Sequence, residues 1–343
     1  MTGRNRFVLV LEEKFANSFR IEPSSRYEEC VTVTAEPGRS LTDLLRSDIP
    51  VGSNVLVIAE DDRLLATPAV EVGPGRTVAS VRAGPGHLAL DQLRTILESL
   101  EKSDPATARQ GAEELAEALR VAGGLVLEDP LTESLAKMTF ATPTWSWTDT
   151  SAFQPGTAQS APAGRQRLAA DGEGTVVTGQ IAVKGWPVVR SRTPDSARCQ
   201  ELFERLSPLS HYPLVLTVED GAVTDLRAAE TGSAKAAEAL KQLFAADPGH
   251  GRITGLEFGL NTAAPQLPFN SESNAASTGK AKASVHLVLG SLPSTNYQVL
   301  LDCATSTLMA LGGSTALAGP GTAAPARPRR RMNRVIAAGC GCH

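Results

Sequence analysis

The sequence predicts an α+β fold: a small N-terminal α+β unit, then a mixed-sheet domain with flanking helices. Three observations predict it. Short runs rich in Val, Ile, Leu and Thr recur along the chain between Gly, Pro and Asp, as strands do. Between them lie longer stretches with leucines at helical spacing. No fixed-period repeat is visible, so solenoids and propellers are set aside.

Taken in order, 7–11, 30–35, 54–60 and 77–82 read as strands, separated by turn signals such as Glu36-Pro37-Gly38 and Gly73-Pro74-Gly75. A helix over 88–103 follows, because Leu90, Leu93, Leu97 and Leu100 form one apolar stripe. Asp104-Pro105 ends it and closes the first unit, 1–105. A second helix over 106–122 stops at Gly123-Gly124. Trp145 and Trp147 share one strand face, and 151–164 reads as a polar loop. Strands follow at 175–178, 180–183, 214–219 and 222–226, the last two joined by the hairpin turn Asp220-Gly221. The 234–246 stretch is helical, and 253–259, 285–289 and 298–301 are strands. The second domain thus spans 106–312. An Ala/Gly/Pro/Arg run over 313–331 reads as a flexible linker without core, and 332–343 as a Cys-containing tail.

Composition excludes several functions. With 33 Lys+Arg against 37 Asp+Glu, the net charge of −4 argues against nucleic acid as a partner, and 4% aromatics argues against base-stacking platforms. No apolar run is long enough for a membrane partner, and Glu12, Glu13 and Lys14 interrupt the only candidate signal sequence. The cytoplasm is the default location. Five scattered cysteines argue against a disulfide framework, and Cys30, Cys199 and Cys303 read as buried thiols.

The chemistry concentrates at Glu257, His286 and Asp302. Each lies in or at the end of an apolar strand, where an ionisable side chain needs a reason. Carboxylate plus imidazole is a ligand set for zinc or cobalt. The plainer alternative is three satisfied polar groups at strand ends.

Ile253-Thr254-Gly255-Leu256-Glu257-Phe258-Gly259-Leu260-Asn261 resembles a shortened E-x-G-x-G-x-N stretch of the thermophilic-type metalloaminopeptidases. Lys280 through Gly290, with His286 inside, resembles their D-E-K-x-x-G-T-x-H-x-x-x-G stretch. The segments 171–177 and 214–223 resemble two further strands of that family, so the likeness runs over 140–312. The departures are as informative. The loop from Gln154 to Pro162 lacks the family's carboxylate, and Leu300 stands where its H-x-D motif has His. Of the family's ligands, Glu257, His286 and Asp302 remain, with Glu272 a loose candidate for a displaced carboxylate.

The resemblance therefore implies a degenerate aminopeptidase-like domain. A two-metal hydrolase needs more carboxylates than these. The expectation is a non-catalytic peptide-binding protein with no cofactor; the alternative is a residual aminopeptidase holding one divalent ion, Zn or Co. The two-part plan resembles the peptide-binding proteins of crocagin-type ribosomal peptide biosynthesis. That implies a precursor or leader peptide as partner, and a homodimer by analogy with the aminopeptidases. The tail residues Cys340, Cys342 and His343 offer two thiolates and an imidazole, so the tail reads as a soft-metal binder, a tethered peptide substrate, or an inert end.

Overall fold

The computed structural model describes residues 5–22, 26–65, 67–84, 89–139, 147–149, 153, 155–169, 176–192, 196–279, 281–292 and 294–320. The chain begins with β1 (Arg6–Glu12), β2 (Glu29–Ala35), α1 (Leu41–Ser47), β3 (Ser53–Ala59), α2 (Asp62–Leu65), α3 (Ala69–Val72), β4 (Thr77–Arg82) and α4 (Ala89–Lys102). It continues through α5 (Pro105–Val121), β5 (Gly124–Asp129), β6 (Ser134–Thr139), β7 (Trp147–Asp149), β8 (Ala158–Ser160), β9 (Arg165–Ala169), β10 (Val176–Val183) and β11 (Val188–Ser191). Next come α6 (Ser196–Leu206), β12 (Leu214–Glu219), β13 (Ala222–Ala228), α7 (Ala234–Ala246) and β14 (Ile253–Gly259). The last elements are α8 (Ser271–Ala276), β15 (Ser284–Leu289), β16 (Tyr297–Asp302), β17 (Thr307–Ala310) and β18 (Ala316–Ala318).

The fold is mixed α+β, as expected, and its first sheet is wholly parallel: β2-β1-β3-β4-β8. Parallel strands need both faces covered. Val8, Val10, Val55 and Val57 pack under Leu41, Leu44 and Leu45 of α1 on one face. Leu9, Leu11 and Ile58 pack under Leu93 and Ile96 of α4 on the other. Local signals set the helix ends. Ser40 and Asp43 form a capping box on α1, and Asp104 caps α5 with Pro105 at its first turn. The pair read as a stop for α4 is therefore also the start of α5.

Two antiparallel sheets make the second part. One runs β13-β12-β10-β6-β5-β17-β18 and the other β11-β16-β15-β14-β9-β7. They share a core in which Leu125, Leu127, Met138, Ile181 and Leu308 meet Leu256 and Leu287 around a small apolar gap. The β12–β13 turn at Asp220-Gly221 has positive φ at both residues, the conformation a tight hairpin requires.

Three expectations are corrected. The loop read over 151–164 contains β8, which adds a fifth strand to the first sheet. The linker read from 313 does not begin there: β18 pairs with β17, Ala318 is 2% exposed, and Gly319 N–H donates to Ala283 O at 2.8 Å. Small residues suit that edge, since a Cβ on Gly319 would come within 2.2 Å of Ser306 O. Finally, Cys303 is buried, but Cys30 and Cys199 are only half-buried. Trp145 and 171–175 lie outside the described residues, as does the tail with Cys340, Cys342 and His343. Among the described residues no helix is long and apolar enough to cross a membrane.

The edge strand gives a first prediction. Ala318 burial and the Gly319 hydrogen bond together contribute about 1–2 kcal/mol. A chain ending at 312 should therefore melt lower, by about 2–4 °C or more, than one ending at 320. Equal melting temperatures in differential scanning calorimetry would show that β18 adds no stability.

Candidate functional site

The register of the six-stranded sheet brings the three sequence-derived residues into one row. Glu257 on β14 lies directly across from His286 on β15, and His286 directly across from Asp302 on β16. Directly opposed antiparallel residues project to the same face, with Cβ atoms about 4.5–5.5 Å apart. Their chain neighbours Leu256, Leu287 and Leu301 project the other way, into the core. On the far side of Glu257 the row continues to Arg167 on β9. Glu257, His286 and Asp302 are all at most 4% exposed.

A short helix roofs this face. Asn270 caps α8 by accepting from Ser273 N–H at 3.0 Å, and Ala275 packs against Val188, Val288 and Leu300. Ser271 Oγ bonds both backbone groups of Val189, accepting from its N–H and donating to its carbonyl, each at 3.0 Å. That seals part of the β11 edge and sets Glu272 over the sheet. Asn261 anchors the preceding loop: its amide donates to Ser103 Oγ and Ala163 O and its oxygen accepts from Ala263 and Ala264 N–H. Asn261 is thus a loop brace that ties the segment after β14 to the α4–α5 junction.

Charge on the face is matched by arginines. Arg190 of β11 grips Glu257 with both Nη atoms, at 2.9 and 2.8 Å. Its Nε lies 3.6 Å from Glu272, which also accepts from Arg165. Burial alone would raise the Glu257 pKa, but the Arg190 guanidinium more than offsets it, and the carboxyl sits at about 2. Glu272 is lowered too, with Arg165 and Arg190 outweighing burial. Asp302 goes the other way. Burial pushes it up to about 6, opposed only in part by His286 and by Gln266, whose Nε2 donates to Oδ2 at 3.2 Å. A Cβ on Gly185 would come within 2.3 Å of Asp302 Oδ2, so only glycine fits beside that carboxylate.

Among the described residues, two atoms of the Glu257, His286 and Asp302 side chains find no hydrogen-bond partner: His286 Nε2 and Asp302 Oδ1. Ser284 Oγ donates to Ser277 O at 2.8 Å and accepts from Gly259 N–H at 3.1 Å. Its 3.5 Å contact with His286 Nδ1 is therefore a hydrogen bond only if Nδ1 carries the hydrogen. That tautomer leaves Nε2 a bare acceptor. An unpartnered ring nitrogen and an unpartnered carboxylate oxygen, buried on adjacent strands, call for a partner.

A divalent metal does not fit the site as it stands. Among the described residues no three His, Cys, Asp or Glu side chains are arranged to hold an ion. Both Glu257 oxygens are taken by Arg190. An ion about 4 Å from that guanidinium would be repelled by roughly 8 kcal/mol at an effective dielectric of about 20. Glu272, the loose candidate, is at the site, but as an arginine partner.

The sequence reading missed Arg165, Arg190 and Gln266. A signal was present for the arginines: Arg190 follows Val188-Val189, and Arg165 and Arg167 alternate with Gln166 and Leu168 at strand period. Each is a charge inside a strand pattern, the same anomaly that singled out Glu257.

No known family profile matches the chain, and no curated protein matches it. It is similar to the structure of 2,5-dihydroxypyridine dioxygenase from Pseudomonas putida KT2440, with a TM-score of 0.51 and 13% identity over 94% of this chain and 92% of that one. At that identity the likeness shows the fold alone.

The two carboxylates predict opposite pH effects. Glu257, lowered to about 2 from 4.5, stabilises the fold by about 3 kcal/mol above pH ~4.5, and this is lost as pH falls toward 2. Asp302 is raised to about 6 from 3.8, so its relative contribution is full below 3.8 and lost as pH rises through about 6. Asp302→Asn should therefore stabilise the chain near pH 7 by up to about 3 kcal/mol, with the gain vanishing by about pH 4. Urea denaturation across that range checks this; parallel wild-type and variant profiles would refute it.

Proposed function

We propose that this chain is a non-catalytic peptide-binding protein, derived from a metalloaminopeptidase, that acts in making a ribosomally synthesised, modified peptide. The carrying observation is the pair of buried atoms without a hydrogen-bond partner among the described residues, His286 Nε2 and Asp302 Oδ1. An extended peptide presents N–H donors and C=O acceptors along its length and satisfies such a pair without a metal. Glu257, locked by Arg190, supports a binding role over a hydrolytic one, because a hydrolase needs its carboxylates free for metal or water. Sealing of Val189 by Ser271 argues against strand addition at the middle of β11. Side-chain capture on the polar face is the mode this reading favours, with α8 lifting to admit the peptide, because the row is at most 4% exposed beneath it. The peptide is a precursor or leader, or the chain's own 332–343 segment.

Two measurements on the full chain test it. In calorimetric titration with a synthetic 332–343 peptide and with precursor-type peptides, at least one should bind at micromolar affinity. Asp302→Asn, which replaces an acceptor by an amide, should weaken that binding about tenfold. In parallel, aminoacyl reporter substrates with added Zn²⁺ or Co²⁺ should show no turnover. Metal-dependent turnover abolished by His286→Ala would replace this reading with that of a one-ion aminopeptidase.

A further inference from the structure

We propose that the peptide this chain binds is recognised by a carboxylate, and that Arg82, Arg165 and Arg190, gathered around Glu272, are the residues that read it. The inference rests on the peptide-binding reading and adds to it the chemistry of the recognised group. In the free chain the Glu272 carboxylate occupies the place of the ligand's.

Position carries the first part of the argument. Arg82 is the last residue of β4, at the carboxyl edge of the parallel sheet, and ligands of open parallel sheets bind outside that edge. Arg165 opens β9 and Arg190 lies in β11, both in the six-stranded sheet. The α8 segment joins the two surfaces. Asn270 Nδ2 lies 3.5 Å from Arg82 O, and Glu272, two residues on, accepts from Arg165 Nη1 and lies 3.6 Å from Arg190 Nε. The Arg82 charge also helps to hold Glu272 ionised against burial. The three arginine side chains are between 14% and 35% exposed, so solvent reaches this cluster, whereas it does not reach His286.

Exchangeability carries the second part. Asp62 pairs with Arg82, Glu272 with Arg165 and Glu257 with Arg190. Glu257 is locked, a buried residue inside the sheet with both oxygens in the Arg190 fork. Glu272 is carried by the roof instead. Ser271 and Ala275 keep α8 seated when the Glu272 side chain turns away. The guanidinium it leaves presents the planar donor fork that a carboxylate fits. Three guanidiniums around one acid also repel a peptide amino group, so the cluster selects an anion. Residues 332–343 contain no Asp or Glu, so recognition of an acidic side chain points to a separate peptide.

The test uses the full chain and three acetylated pentapeptides: Ala-Ala-Glu-Ala-Ala amide, its Gln counterpart, and an all-Ala peptide with a free terminal carboxylate. Glu272→Gln removes the built-in carboxylate and keeps its shape. In calorimetric titration that variant should bind a carboxylate probe at least about tenfold more tightly than the wild type does, with no gain for the Gln probe. A gain for the Glu probe assigns a side chain as the recognised group, and a gain for the all-Ala probe assigns a chain terminus. Arg165→Met added to Glu272→Gln should abolish the gain. Should Glu272→Gln loosen the fold, the carboxylate probe must raise its melting temperature and the Gln probe must not. Equal binding of the Glu and Gln probes would overturn the inference and leave peptide binding standing. So would a gain that persists in the Arg165→Met double variant. Binding of no probe by Glu272→Gln would overturn it as well, and the precursor titration then decides on peptide binding separately.

Discussion

A buried carboxylate in the middle of a sheet is the constraint around which the polar face is arranged. Glu257 is 4% exposed, and an isolated charge there would cost several kcal/mol. The fold answers with a guanidinium from a strand three places away in the sheet order. That cation in turn lies beside Glu272, which fixes where α8 must sit, and α8 is held there by Ser271 on β11. The loop leading to α8 is braced by Asn261 back to Ser103. A chain of polar contacts thus ties the sheet, its roof and the junction between α4 and α5 to one ion pair. Breaking such a pair on one side typically costs about 3–5 kcal/mol, since the other charge stays buried.

Equal burial does not mean equal chemistry on this face. Glu257 and Asp302 are two strands apart and both nearly inaccessible, yet one is held ionised and the other is pushed toward neutrality. The difference is a guanidinium on one side against a single amide hydrogen bond on the other. Keeping Asp302 where Asn would be more comfortable is the kind of local cost that folds retain at working sites.

Much of this was readable from the sequence where signals are local. The Asp220-Gly221 turn fixes a hairpin, and the leucines before Asp104 mark α4 as a helix, although its buried face runs through Ala89, Gln92, Leu93, Ile96 and Ser99 and leaves Leu90 exposed. The row of Glu257, His286 and Asp302 was visible as ionisable residues in apolar strands. Its pairing partners were not. Arg190 lies 67 positions from Glu257 in sequence, and Arg165 lies 107 from Glu272. No periodicity reports a partner at that range. The short edges were hidden for another reason. Residues 158–160 and 316–318 are strands because a neighbouring strand offers an open ladder, and their own small or polar composition suggests loop or linker.

The fifth strand of the first sheet also bears on how the chain is made. Ser80 on β4 pairs with Ser160 on β8, so the parallel sheet cannot close until the stretch between them has been synthesised. That stretch carries α4, α5 and the first hairpin of the next sheet. As the chain leaves the ribosome, the edge of β4 therefore stays open while roughly eighty residues emerge, several seconds at ordinary elongation rates. The N-terminal part then finishes as a co-translational partner of the part that follows it, so a nascent chain stalled before residue 158 should present β4 as a bare edge for chaperones to cover.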